Sequence, residues 1–414
     1  MTDSRWRALL QRIVYASTFE RVVISLAALL LSILVGGVLI LVSGRLTTCP
    51  TAAATYLGVG FCYDPITVFD RLFFGALGDP MNPLFRPFAG EFAPPFRAGW
   101  SPFNSEMAVT LRETAVLIFT GLSVAVAFRA DVFNIGTQGQ LVVGAITSAV
   151  SLTALGPVAP SGIAGSLLLI PAGLLAGAIA GGLYGAIPGA LKAYADANEV
   201  ITTIMLNFVA AKVALFLVSG PLQRADSQIA QTEPIPAAAS IPSVLFDART
   251  GFSLVALAVA VCTALACYYL LNHTTLGYEL RTSGLQAAAA RYAGVKTDRT
   301  IVGSLVLSGA LGGLGGAIYV MMIVGDFQTG VPSYGFDGIT VAILAGSNPL
   351  GVLLAAPLFG IIQSGSIVID TTTNVPPQLV DVLRGLIVLF VAMPEFFRQF
   401  GRRFFEDDGG EIDG

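Results

Sequence analysis

Charge is what this sequence has least of. Only 12% of its 414 residues are Asp, Glu, Lys or Arg, against 55% hydrophobic. A soluble domain carries about a quarter charged residues because its surface must face water, so a water-soluble globule is excluded for the chain as a whole. Histidine is almost absent. His273 stands alone, at a predicted helix end remote from the acidic residues of the opposite loops. Neither a zinc-ligand cluster nor a nucleophile with a recognisable base accompanies it, and the chain is read as a non-enzyme. The sequence also lacks the Gly-rich segment with Lys-Ser/Thr that grips phosphate, a basic stripe for nucleic acid, and a carbonyl filter of the channel type. Of the four cysteines, Cys262 and Cys267 lie in an apolar block and read as packing residues. Cys49 and Cys62 share one loop, which permits a disulfide without establishing it.

What is present is a series of long apolar blocks. Val22–Val42 carries no charge and is long enough to cross roughly 30 Å of hydrocarbon as a helix. Its apolar core is longer than that of a signal peptide, so it is expected to stay as the first crossing. Many of the 46 Gly and 22 Pro sit inside the blocks, where Gly permits close helix approach and Pro interrupts helices whose freed backbone faces protein. The pattern predicts an all-α polytopic transmembrane bundle of about ten crossings: 22–42, 107–128, 136–156, 162–187, 199–219, 251–271, 301–324, 337–353, 354–370 and 376–396. The pair after Phe336 is short and holds Gly346, Pro349, Gly360 and Gly365, which fits a broken or re-entrant hairpin.

The organisation expected is a segment 1–21, a first crossing with a long loop over 22–106, a core over 107–396 and an acidic tail over 397–414. Within the long loop, Asp64, Pro65, Asp70 and Arg71 make the second half of 56–77 an interfacial helix, and 80–102 an irregular insertion. The 220–250 connection, with Pro221, Pro234, Pro236 and Pro242, reads as extended. Basic residues concentrate at both termini and in the loop 272–300, which places these on the cytoplasmic side of a plasma membrane.

Three polar constellations interrupt the apolar blocks. In Phe128–Gln140, the side chains of Asn134, Gln138 and Gln140 would be costly against lipid and must pair internally or line a wet cavity; stitching of a tight turn competes with solute contact. Asn198 can cap a helix that carries Glu199, Thr203 and Asn207. Asp326, Phe327 and Asp337 could hold a hydroxylated ring near a bundle mouth, or serve as cap and interface residues. Gly309, Gly312, Gly313, Gly315 and Gly316 make small-x-x-x-small pairs suited to helix packing. In loop 272–300, the Ala-rich Gln286–Tyr292 is a short helix former bounded by Gly284 and Gly294, read as flexible joints. Composition alone favours an ordinary connection there.

Phe-Asn-Ile-Gly-x-x-Gly-Gln at 133–140, Asn-Glu-Val-Ile-x-Thr-Ile-Met-Leu-Asn at 198–207 and Gly-Phe-Asp-Gly-Ile-x-Val-Ala-Ile-Leu at 335–344 resemble permeases of bacterial ABC importers of the simple-sugar and branched-chain amino-acid class. Together they are most similar to the nucleoside or simple-sugar subgroup, over about Thr110 to Phe396. The resemblance implies a permease that pairs with a second, identical or diverged copy. It also implies two ATP-binding subunits (or one fused equivalent), which use ATP and Mg2+, and an extracytoplasmic solute-binding protein. No cofactor is expected on this chain, and membrane lipid is its surroundings. It further implies a coupling segment over 278–294, including Tyr278, Glu279, Arg281, Gly284, Ala287, Ala288, Ala289, Ala290 and Gly294. Asn134, Asn198, Glu199 and Asn207 are implied near the translocation core, and Gln138, Asp326, Phe327 and Asp337 complete the candidates. Relatives commonly carry Glu where Gln138 stands and Gly where Asp131 stands, so a charge-dependent role does not transfer to Gln138. Import of branched-chain amino acids and a nontransporting scaffold are the rival readings.

Overall fold

Residues 18–80, 100–387 and 389–390 are described in the computed structural model, with side chains from Leu30 onward. The predicted tail, segment 1–17 and most of the 80–102 insertion lie outside them. Helix α1 spans Thr18–Leu46. A hairpin pairs β1 (Ala54–Tyr56) with β2 (Val59–Phe61) in antiparallel register, and α2 spans Pro65–Phe73. The remaining helices are α3 (Ser105–Arg129), α4 (Thr137–Leu155), α5 (Ile163–Ala195), α6 (Glu199–Val218) and α7 (Leu254–His273). They continue as α8 (Thr275–Leu285), α9 (Ala287–Tyr292), α10 (Thr297–Ile318, extended by a π-helical turn Tyr319–Val324), α11 (Tyr334–Leu344) and α12 (Pro349–Thr372). Residues 377–387 are again helical. Seven helices among the described residues are long and apolar enough to cross a membrane, and the protein is an all-α polytopic membrane protein.

Two compact parts divide the chain: Phe103–Gly360, and the residues on either side of it. In the larger part, α10 lies against α5 so closely that backbones touch. A Cβ added at Gly181 would collide with the Gly309 carbonyl oxygen, and one at Gly313 with that of Gly177. This is the packing that the small-residue spacing predicts, with dispersion contacts replacing side chains. The same small-residue face of α10 also meets α4, where a Cβ at Gly316 would collide with the Leu141 carbonyl in the same way.

The predicted pair 337–353 and 354–370 is corrected. The break falls at 345–348, after an 11-residue α11, which at 1.5 Å per residue reaches about 16 Å and does not cross a bilayer. Gly346 and Ser347 both take left-handed backbone there, with φ of +59° and +55°. Pro349 then opens α12, where its missing N–H is no loss. Gly346-Ser347-Asn348-Pro349 is itself a turn signal in the sequence, and the expected boundary at 353/354 passed over it.

In the other part, Cys49 and Cys62 are joined by a disulfide with Cα atoms 5.8 Å apart, closing the loop around the hairpin. The hairpin replaces the first half of the expected apolar segment, and its second half is the expected short helix. Asp64 caps α2, accepting from the amides of Ile66 and Thr67 and from the hydroxyls of Tyr56 and Thr67. Burial raises the Asp64 carboxyl pKa, but the bonds from Thr67, Tyr56 and the two amides outweigh it and hold the group below its ordinary value.

Candidate functional site

The site begins where α3 ends. Past Arg129 the chain turns at Asp131, whose φ is +56°, and runs back into the bundle before α4 starts. The Thr137 hydroxyl lies 3.1 Å from that of Ser123. Ser123 is six residues from Arg129, so α4 starts about 9 Å in from the end of α3 at 1.5 Å per residue. An unwound stretch in an apolar bundle must have its polar groups met by protein. Here side chains do it. The Asn134 amide donates to Gln140 (2.8 Å) and Ser308 (2.7 Å), and its oxygen accepts from Gly136 N (2.9 Å). Asn207, reaching from α6, accepts from Gly139 N at 2.7 Å and donates to Ile135 O at 2.9 Å. Asn134 and Asn207 are thus bolts on the same short loop.

A second unwound stretch, 325–333, runs in ahead of α11, and Gln138 joins the two. Its Nε2 donates to Pro332 O at 2.9 Å, and its Oε1 accepts from Gly335 N at 2.7 Å. The latter satisfies one of the amides orphaned at the start of α11. Tyr334 donates its hydroxyl to Glu113 at 2.6 Å. Glu113 in turn pairs with Arg112 at 2.7 Å, and Arg112 reaches the Thr250 carbonyl at 3.1 Å. Tyr319 of the π turn meets Tyr334 edge to face, with ring centroids 5.7 Å apart. Glu113 is 2% exposed, and a buried carboxylate persists only when paired and hydrogen-bonded. From there α11 runs along α3, with Gly338 against Thr120 and Val341 against Gly121. At its end, Arg129 Nε donates to the Ser347 carbonyl at 2.8 Å.

Of the candidates, Asn134, Gln138 and Asn207 therefore meet at one place, and Asp337 lies in the first turn of α11, whose Gly335 meets Gln138. Asn198 and Glu199 do not join the group. Asn198 caps α6, accepting from Val200 and Ile201 amides, and Glu199 pairs with Lys192 at 2.6 Å across the α5–α6 turn. Asp326 and Phe327 sit at the opposite mouth. The Phe327 ring is buried and its amide and carbonyl are held by Thr232, while burial pushes the Asp326 carboxyl up, opposed by Arg224. Arg112, Glu113 and Tyr334 were missed. A readable signal existed for the first two, because adjacent charges inside an apolar crossing are costly unless they are used.

The coupling segment is more ordered than expected. Helix α8 precedes the predicted short helix, which is observed as α9 with Gln286 at its N-terminal boundary. Gly284 is corrected from flexible joint to packed residue: a Cβ there would lie 2.5 Å from Arg129 O and 3.0 Å from Asp131 N. Gly294, at φ +90°, ends α9 in left-handed backbone. Tyr278, Glu279, Ala287, Ala288 and Ala289 are exposed, Arg281 is half-buried, and Ala290 is buried. A cleft of about 510 Å³ opens beside α8 between Phe128, Arg129, Asp131, Tyr278 and Arg281.

Seven helices apolar and long enough to cross a membrane, with polar side chains turned onto unwound backbone between them, define a multi-pass membrane protein. The family model described as the permease component of branched-chain amino acid transport systems matches residues 107–392, and the chain belongs to that family. Among its relatives is the nucleoside ABC transporter permease NupB of Lactococcus lactis, 32% identical over 81% of this chain and 85% of that one. The guanosine ABC transporter permease NupP of Bacillus subtilis is 35% identical over 68% and 80% of the two chains. The glucose ABC transporter permease TsgB13 of Haloferax volcanii is 32% identical over 69% and 75%. No solved structure matches the chain.

Proposed function

We propose that the chain is the membrane permease of an ATP-driven importer that moves a nucleoside or simple sugar into the cell by alternating access. ATP hydrolysis belongs to separate subunits that dock on α8–α9, and an extracytoplasmic protein delivers the solute. The observation carrying the reading is the meeting of two unwound stretches at Gln138, inside an apolar bundle. Such discontinuous helices are where transporters place polar groups and hinges. The relatives named for nucleosides and glucose supply the solute class. The Cys49–Cys62 disulfide supports an oxidising, extracytoplasmic side for the hairpin, which agrees with cytoplasmic placement of 272–300 and of both termini.

Import of a branched-chain amino acid is the second reading, favoured by the family's description. Such a zwitterion needs a cation and an anion free to receive it. Arg112 and Glu113 carry those charges inside the bundle, but they are engaged with each other, with Thr250 and with Tyr334. The nucleoside or sugar reading is preferred for that reason.

The test is uptake of radiolabelled guanosine, uridine, glucose and leucine into proteoliposomes holding the full complex with its solute-binding protein. ATP-dependent uptake of a nucleoside or glucose, with leucine at background, is the expected result. Uptake of leucine alone would replace the reading by the second, and no ATP-dependent uptake of any of the four would remove it.

A further inference from the structure

We propose that Arg129 is the positioning residue through which displacement of α8–α9 reaches the half-length helix α11. The inference rests on the importer reading above and deepens it, by naming the joint between the ATPase-facing segment and the bundle interior.

The geometry has three parts. At Gly284 the backbone of α8 lies directly on the backbone of Arg129, Ala130 and Asp131, with no room for even a methyl group. A backbone-on-backbone contact has no flexible side chain to absorb motion, so a shift of α8 is passed to the end of α3. From that end, Arg129 Nε holds the Ser347 carbonyl at 2.8 Å, across 218 residues of sequence. Ser347 is an unusual place to be held. It is a non-glycine residue at φ +55°, its N–H is closed onto Ala342 O, and it separates α11 from α12. Left-handed non-glycine backbone persists where surroundings over-determine it, and a turn of that kind between two rigid helices is where a lever pivots.

The far end of the lever is anchored differently. Tyr334 reaches Glu113 and Gly335 N reaches Gln138, both inside the bundle. A pull at Ser347 therefore tilts α11 against those two bonds, changing the place where the unwound stretches meet. Arg129 touches neither the far bonds nor the exposed alanines of α9. Its contribution is to make α11 follow α8.

The test uses the whole importer in proteoliposomes, with Arg129→Gln and Arg129→Lys permeases. Assembly, ATP hydrolysis stimulated by the solute-binding protein, and ATP-dependent uptake of radiolabelled guanosine are measured together. Arg129→Gln should assemble and hydrolyse within about twofold of wild type, while guanosine imported per ATP falls at least about tenfold. Arg129→Lys, which keeps the charge and N–H donors but loses the guanidinium Nε that bonds Ser347, should lie between. Uptake per ATP within twofold of wild type in both variants overturns the proposal. If the Gln variant does not assemble, the Lys variant decides by the same ratio; failure of both to assemble assigns Arg129 a purely structural role and also overturns it. A wild-type complex that imports none of guanosine, uridine or glucose removes the function reading itself, a result separate from either outcome at Arg129.

Discussion

Among the described residues, the chain dips into its own bundle as unwound backbone ahead of α4 and again over 325–333, and the two stretches are held differently. The stretch before α4 is fixed by Asn134, Gln140, Asn207 and Ser308, drawn from α4, α6, α10 and the stretch itself. Its helix then runs 19 residues. The stretch before α11 is held at its outer end by the 230–235 segment, where Thr232 takes both the amide and the carbonyl of Phe327 and Ile235 N donates to Gly325 O, and at its inner end by Gln138 and Tyr334. Its helix stops after 11 residues in a left-handed turn tied to Arg129. Both share a Gly-x-polar-Gly start: Gly136-Thr-Gln138-Gly139 and Gly335-Phe-Asp337-Gly338. The same local start therefore opens a 19-residue helix in one place and an 11-residue half-helix in the other. What differs is where the grip comes from: core helices along the first stretch, a loop and two side chains at the ends of the second, which sets the cost of moving each.

Three substitutions break or sharpen this contrast, in decreasing order of effect. Asn207→Ala removes both bonds to the first stretch and leaves Gly139 N–H and Ile135 C=O unmet in an apolar surrounding. A loss of about 2–4 kcal/mol is expected, read as reduced unfolding free energy in detergent titrations. A loss under about 0.5 kcal/mol would show that the first stretch is not more firmly held than the second. Gln138→Leu cuts the link between the stretches and should cost about 1–2 kcal/mol by the same measurement. It should also raise amide exchange at Gly335 while leaving Gly136 protected; equal exchange at both would mean that the two stretches open as one unit. Tyr334→Phe is the mildest. Glu113 keeps Arg112, so about 1 kcal/mol is expected, with faster exchange confined to α11. Exchange rising equally across α4 would sink the distinction.

Legibility in the sequence followed the range of the interaction. Asp64 and Pro65 marked α2 because a cap and its helix are adjacent, and the same holds for Asn198 ahead of α6. The glycines at 309 and 313 announced close packing, though not that α5 would supply the facing carbonyls. Asn134 and Gln138 were legible as polar groups that stitch a tight turn or meet solute, and Asn207 as a polar group on a helix face, but not which backbone atoms each would hold. Gly284 was misread because a glycine in a loop looks like freedom until the backbone lying against it is known.

The sequence by itself determined that the chain lives in a membrane, roughly where its long helices run, and to which family it belongs. Those properties depend on residues near one another, and hydrophobic length is additive along a segment. Tertiary structure alone decided that Tyr334 meets Glu113, that Arg129 meets Ser347 and that Cys49 and Cys62 come within bonding distance. These pairings depend on where distant helices cross, and an apolar stretch carries no local mark of the carbonyl or carboxylate that will face it. A buried polar atom does require a partner, but only the packing of the whole bundle chooses which one.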